Sequence, residues 1–220
     1  GTSKLVMGSP AAYSSVCAAR LGANAGIVSR VGRDMPETLL QPFEEAGVDT
    51  SGLDRNAIAT TTNELGYDSQ GRKRIVRYLK TARPITLDCI PESFNDSRIF
   101  YCCGCGVDSE IDNEVIEKLS SLGGLMVSDI GGLSGTGRPE GTPSPLKQDL
   151  DGYRHRISHF KIMKASEDDC MITTGGDLGS VPDFIEQILS WGPEIVLLTK
   201  GSEGTDIYTR SGVQRVPALA

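Results

Sequence analysis

Four short stretches carry residue types able to do chemistry. Gly8-Ser9-Pro10-Ala11-Ala12 leads straight into a helix. A small-residue turn there exposes unpaired backbone N–H groups and lets a polyhydroxy or anionic ligand approach the main chain; the same residues also serve as a simple helix cap. Thr199-Lys200-Gly201-Ser202-Glu203-Gly204 follows the most apolar strand of the chain. A threonine hydroxyl and a glycine turn at the carboxyl end of a strand suit the phosphates or ribose of a nucleotide, and an ordinary tight turn uses the same residues. Its spacing is neither G-x-x-x-x-G-K-[ST] nor G-x-G-x-x-G. Lys164-Ala165-Ser166-Glu167-Asp168-Asp169 sets three acids in a row beyond a strand. Carboxylates so placed can hold Mg²⁺ directly or through water, and they also suit the first turn of a helix capped by Ser166. Asp129 ends a strand before the Gly/Pro/Ser/Thr-rich stretch 131–145, which contains Arg138. It is a candidate ligand contact or a loop cap.

Other chemistries are poorly provided for. Of six cysteines, Cys17, Cys89 and Cys170 are isolated and Cys102, Cys103 and Cys105 crowd one apolar stretch. The two histidines, His155 and His159, stand far from them at i, i+4. Zinc spacing is not met, and the thiols are expected to be reduced and packed as small hydrophobes. Lys plus Arg number 22 against 29 for Asp plus Glu, a net charge of -7, with no basic stripe; nucleic acid is not an expected partner. No apolar run approaches the roughly 20 residues of a membrane-spanning helix, and no secretory leader is visible.

The elements that must position these residues alternate. Tyr13–Leu21 reads as a helix stopped by Gly22, residues 25–31 as a strand, and 35–46 as a helix stopped by Gly47. Residues 57–79, β-branched and polar with a turn at Asp68–Gly71, predict a hairpin too poor in apolar residues to form a core, hence a lid. Strands follow at 98–103, 125–129, 160–163 and 194–199, helices at 112–122 and 181–191, and a closing hairpin at 207–216. This alternation predicts one α/β domain over 1–220 with a mostly parallel sheet, whose ligands bind beyond the carboxyl ends of the strands. Both ends of the chain look cut: a first strand is missing, and the last residues follow directly on a strand.

Several motifs recur in a fixed order. Gly8, Ser9, Ala11, Tyr13, Ser15, Gly22 and Gly32 stand in one register; Val31-Gly-Arg-Asp34 reads V-G-x-D and Glu45-Ala-Gly-Val-Asp49 contains A-G-V-D. The hairpin, Lys164–Asp169 and Thr199–Gly204 follow. In this order the whole chain resembles the PfkB (ribokinase-like) family of carbohydrate kinases. The resemblance implies a Rossmann-like ribokinase fold, a central mostly parallel sheet flanked by helices, with a small β-lid. It implies an ATP-dependent sugar kinase acting on a hydroxyl of a small sugar or sugar acid, with ATP and Mg²⁺, cytoplasmic, and a homodimer through the lid. Gly8, Ser9, Tyr13 and Asp129 would bind substrate; Ser166, Thr199, Gly201 and Gly204 the nucleotide; Asp169 the metal. Ser9 replaces the family's second glycine, Tyr13 its sugar-binding asparagine, and Ser166 and Asp169 the Asn and Glu of N-x-x-E. The G-A-G-D motif that carries the family's catalytic aspartate and anion hole does not occur, and the resemblance places it beyond Ala220. A kinase-like binding or regulatory protein, or a nucleoside kinase, are the alternative readings.

Overall fold

Small side chains start the first element. In the computed structural model, which describes residues 4–67, 73–104, 110–130, 150–174 and 180–219, Ser9 caps helix α1 (Pro10–Arg20) and Pro10 occupies its first turn. The chain forms two compact units, Gly1–Asn95 with Ser109–Asp112, and Asp96–Asp108 with Asn113–Ala220.

In the first unit, β1 (Gly26–Gly32) pairs in parallel with β2 (Asp49–Ala57). Between them lie a short 3₁₀ turn (Glu37–Leu39) and α2 (Gln41–Ala46). The helix expected over 35–46 is thus split. Pro42 has no N–H to donate back to Thr38 and sits instead in the first turn of α2. Gly47 ends α2 in the left-handed conformation (φ 71°), and the Val48 N–H returns to the Phe43 carbonyl at 2.9 Å. Ala12, Ile27, Phe43 and Val48 form the core of this unit, backed by Met7, Val16, Leu40 and Leu53. Strand β2 was not expected from its residues. Only Gly52 in it is buried, and its Cα faces β1 so closely that a Cβ would lie 2.7 Å from the Ile27 carbonyl oxygen. The expected hairpin is a separate two-stranded antiparallel sheet, β3 (Thr62–Tyr67) and β4 (Lys73–Lys80). Its turn lies outside the described residues.

The second unit is built on a six-stranded sheet of order β10-β9-β8-β7-β6-β5. Strands β5 (Ile99–Cys102), β6 (Leu125–Asp129), β7 (Ile162–Ser166) and β8 (Ile195–Thr199) are parallel; β9 (Thr205–Thr209) and β10 (Gly212–Val216) return antiparallel. Helices α3 (Asn113–Ser121), α4 (Leu150–Ser158), α5 (Glu167–Thr174) and α6 (Val181–Ser190) accompany them. Phe160, Ile116, Ile130, Ile157, Met163, Ile185 and Val196 are fully buried. Along α6 the buried residues Val181, Phe184, Ile185, Ile188 and Leu189 recur at helical spacing. Helix α4 was not expected. It contains Gly152, and between Asp151 and Ser158 the buried residues are Tyr153 and Ile157, too few to register as a periodic face. The α/β class and the mostly parallel sheet agree with the alternation of elements. No helix among the described residues is long and apolar enough to cross a membrane. Cys17, Cys89, Cys102, Cys103 and Cys170 take part in no disulfide among the described residues, and burial pushes the Cys102 and Cys170 thiols up to about 12.

Candidate active site

Parallel register brings the carboxyl ends of three strands of the second unit to one edge. Asp129 ends β6 opposite Lys164, and Ser166 ends β7 opposite Thr199, the last residue of β8. Lys164 reaches between two carboxylates: its Nζ lies 3.2 Å from Asp129 Oδ2 and 3.9 Å from Asp169 Oδ2. Asp129, expected at the substrate, therefore sits with the residues expected at the nucleotide and metal. Lys200 does the same one strand further on, 3.7 Å from Glu167 Oε1 and 3.4 Å from Asp206 Oδ2. These two lysines were not among the expected site residues. Lys164 could have been found as the first residue of its motif; Asp206, far along the chain from the acids of Glu167–Asp169, carried no local signal.

Ser166 and Asp169 form a closed cap on α5. The Ser166 hydroxyl donates to Asp169 Oδ2 at 2.6 Å and accepts from the Asp169 N–H at 3.1 Å, while the Ser166 N–H donates to the same Oδ2 at 3.0 Å. This is the reciprocal serine–acid box that satisfies free N–H groups at a helix start. The short aspartate side chain thus turns back onto its own helix. With Asp129 and Glu167 it supplies hard carboxylate oxygens at this edge, the donor type that Mg²⁺ takes, so the residues fit that ion by chemistry.

The turn after β8 separates its two glycines. Gly201 (φ 56°) has no atom within 4 Å of where a Cβ would stand. At Gly204 (φ 103°) a Cβ would meet the Val216 carbonyl oxygen at 2.1 Å and the Ala218 nitrogen at 2.8 Å. Gly204 is required by packing, whereas Gly201 leaves open space beside the backbone. The Thr199 hydroxyl donates to the Ala165 carbonyl at 3.2 Å, and the Lys200 N–H closes the turn onto the Gly204 carbonyl at 2.8 Å.

In the first unit, Gly8, Ser9 and Tyr13 gather at the start of α1. Ser9 adopts φ 84° and ψ 133°, a backbone conformation normally left to glycine, and its Oγ accepts from the Ala11 N–H at 3.2 Å. Nothing lies within 4 Å of a Cβ on Gly8. The Tyr13 hydroxyl donates to the Met7 carbonyl at 2.8 Å, leaving its ring 64% exposed. Asp34, the acid of V-G-x-D, was given no role from the sequence. Its Oδ1 accepts from both the N–H (2.9 Å) and the hydroxyl (2.8 Å) of Thr60, and its Oδ2 from Lys80 at 2.8 Å. Thr60 and Lys80 flank the β3–β4 hairpin, so one carboxylate ties both of its stems. Lys80 first, then Thr60, holds this carboxyl well below the ordinary aspartate range. Arg138, the stretch 131–145 and Cys105 lie outside the described residues.

A strand-end edge of paired lysines and acids with a glycine turn in the second unit, and a glycine-like turn at a helix start in the first, are carried by an α/β framework. The sequence matches the pfkB family of carbohydrate kinases over residues 5–220, and the chain belongs to that family. It is 26% identical to a cytidine kinase of Thermococcus kodakarensis over 213 residues, covering 96% of this chain and 70% of the relative. Its fold is similar to that of a fructokinase from Xylella fastidiosa (TM-score 0.73, 23% identity), covering 95% of this chain and 65% of that one. It is also similar to an aminoimidazole riboside kinase from Salmonella enterica, solved with aminoimidazole riboside and an ATP analogue (TM-score 0.70, 20% identity), covering 95% and 68%. The chain therefore spans 65% of the length of the fructokinase it matches.

Proposed function

We propose that this protein is an ATP-dependent kinase that transfers the γ-phosphoryl group to a hydroxyl of a small sugar or sugar acid. The observation that carries this reading is the strand-end edge of the second unit, where Asp129 stands in register with Lys164 and Ser166 with Thr199, and Lys164 and Lys200 each reach between two carboxylates. Phosphoryl transfer is mostly positioning and charge stabilisation, and such an edge supplies both. In this reading Thr199, Gly201 and Gly204 approach the nucleotide with Ser166, and Lys200 is placed to meet phosphate charge. Asp169 would hold hydrated Mg²⁺, which neutralises phosphate charge when bound. Gly8, Ser9, Tyr13 and Asp129 would bind the acceptor. Family membership and the ATP-bound fructokinase structure support ATP as donor. The β3–β4 hairpin would serve as the lid and as the contact of a homodimer, in a cytoplasmic enzyme.

A second reading takes a nucleoside as acceptor. It is favoured by the exposed Tyr13 ring, which is tethered at its hydroxyl and free to stack on a base, and by the similarity to a cytidine kinase. ADP release with MgATP across a panel of sugars, sugar acids and nucleosides tests both. Sugar-dependent release is expected; release with nucleosides alone favours the second reading. If the protein binds ATP but releases no ADP with any member of the panel, it is a binding or regulatory member of the family.

A further inference from the structure

The two histidines of the chain meet a carboxylate on the opposite edge of the second unit. Helix α3 ends at Ser121 just before β6 begins at Leu125, and α4 ends at Ser158 just before β7 begins at Ile162. The last turns of both helices therefore lie towards the amino ends of these strands, away from Asp129 and Ser166. His155, in the last turn of α4, and His159, directly after its end, stand edge to face with ring centroids 5.1 Å apart. His155 Nε2 lies 3.3 Å from Oε1 of Glu117 on α3. One nitrogen of each ring and one Glu117 oxygen all fall within 4.8 Å of one another.

We infer that Glu117, His155 and His159 form a site for a divalent transition metal of the zinc class, with these three residues as ligands and a fourth position open to water. Zinc–nitrogen and zinc–oxygen bonds of about 2.0–2.2 Å place tetrahedral neighbours about 3.3–3.5 Å apart, and the His155–Glu117 pair already stands at that spacing. The remaining separations close by small rotations of side chains that are exposed or half-buried. A second observation points the same way. His159 Nδ1 lies 3.2 Å from the Ser120 hydroxyl, while its Nε2, shielded from water, has no hydrogen-bond partner. An Nδ1–H bond to Ser120 orients the ring and leaves Nε2 as the lone-pair donor, the usual arrangement behind a metal-bound histidine. Two imidazoles and one carboxylate select Zn²⁺ or its neighbours over Mg²⁺, which prefers all-oxygen sites. The ion would tie α3 to α4 and stabilise the fold by mass action.

Calorimetric titration of the untagged, chelator-stripped protein with Zn²⁺, repeated in excess Mg²⁺, tests the site, with the absorption of bound Co²⁺ as a second readout. The expected result is one equivalent per chain, unaffected by Mg²⁺, with tetrahedral Co²⁺ bands and a thermal midpoint raised by Zn²⁺ alone. His155→Ala and Glu117→Gln, both at exposed positions that leave the fold intact, should each weaken binding by about 100-fold or more, and Ser120→Ala by about 10-fold. No binding by the parent protein overturns the assignment. So does unchanged affinity in His155→Ala and Glu117→Gln, which would place the metal on the cysteines.

Discussion

At Ser9 a side chain occupies a backbone conformation that suits glycine. Holding a residue with a Cβ at φ 84° costs on the order of 1–3 kcal/mol, while replacing it by glycine adds about 0.5–1 kcal/mol of unfolded-state entropy and loses a few tenths from the cap. Ser9→Gly is therefore expected to stabilise the protein by about 1 kcal/mol in urea titrations; a loss of stability would show that the turn is not strained. The two glycines of the 199–204 turn should separate in the same assay. Gly204→Ala drives a Cβ into the Val216 carbonyl and should cost about 3 kcal/mol, whereas Gly201→Ala enters open space and should cost about 1 kcal/mol for its left-handed φ. Gly201→Ala is then a clean probe of the nucleotide role. ATP affinity should fall about tenfold, since 1.4 kcal/mol is a factor of ten, with sugar affinity kept. Unchanged ATP affinity by calorimetry would reduce the turn to a structural one.

Among the elements, the hairpin β3–β4 is tied at both of its stems to one residue outside it. Asp34 accepts from Thr60 at its entrance and from Lys80 at its exit. These bonds lower the folded-state pKa of Asp34 below its ordinary 3.8. A group with a lowered folded pKa contributes fully above the unfolded value, and that contribution is lost as the pH falls through it. Amide protection in β3 and β4 should accordingly hold above pH of about 4 and drop in more acid solution. In Asp34→Asn it should be lower throughout and lack that step. A parent hairpin whose protection ignores acid would refute the tie. Helix α5 offers a parallel case: Ser166→Ala removes the reciprocal cap and should cost about 1 kcal/mol.

On the scale of the whole molecule, the question is which group serves as base for the acceptor hydroxyl. No G-A-G-D occurs in the 220 residues, and Asp129 is turned to Lys164 at 3.2 Å. General-base catalysis contributes about 10²–10⁴-fold and a single anion-hole donor about 10²–10³-fold. A polypeptide of these residues alone is expected to make ADP at least about 10⁴-fold more slowly than one that carries the motif. Comparable sugar-dependent ADP release from both would overturn this and make Asp129→Asn the next substitution to assay.

What the sequence determined by itself was whatever burial writes locally. The spacing of Val181, Phe184, Ile185, Ile188 and Leu189 marks α6, and the run Ile195–Thr199 marks β8, because side chains that face one core must recur with the period of their element. The order of the motifs was enough to name the family. Local patterns were silent where backbone pairing decides. The segment Asp49–Ala57 is a strand because its main chain bonds to β1, not because its side chains are apolar. Pro42 broke a helix whose apolar spacing looked continuous. The ties of Asp34 to Thr60 and Lys80, of Lys164 to Asp129, and of Glu117 to His155 join residues 26 to 46 positions apart. Charges and ligands meet over such distances only after register and helix packing have set their places, and no short-range periodicity records that.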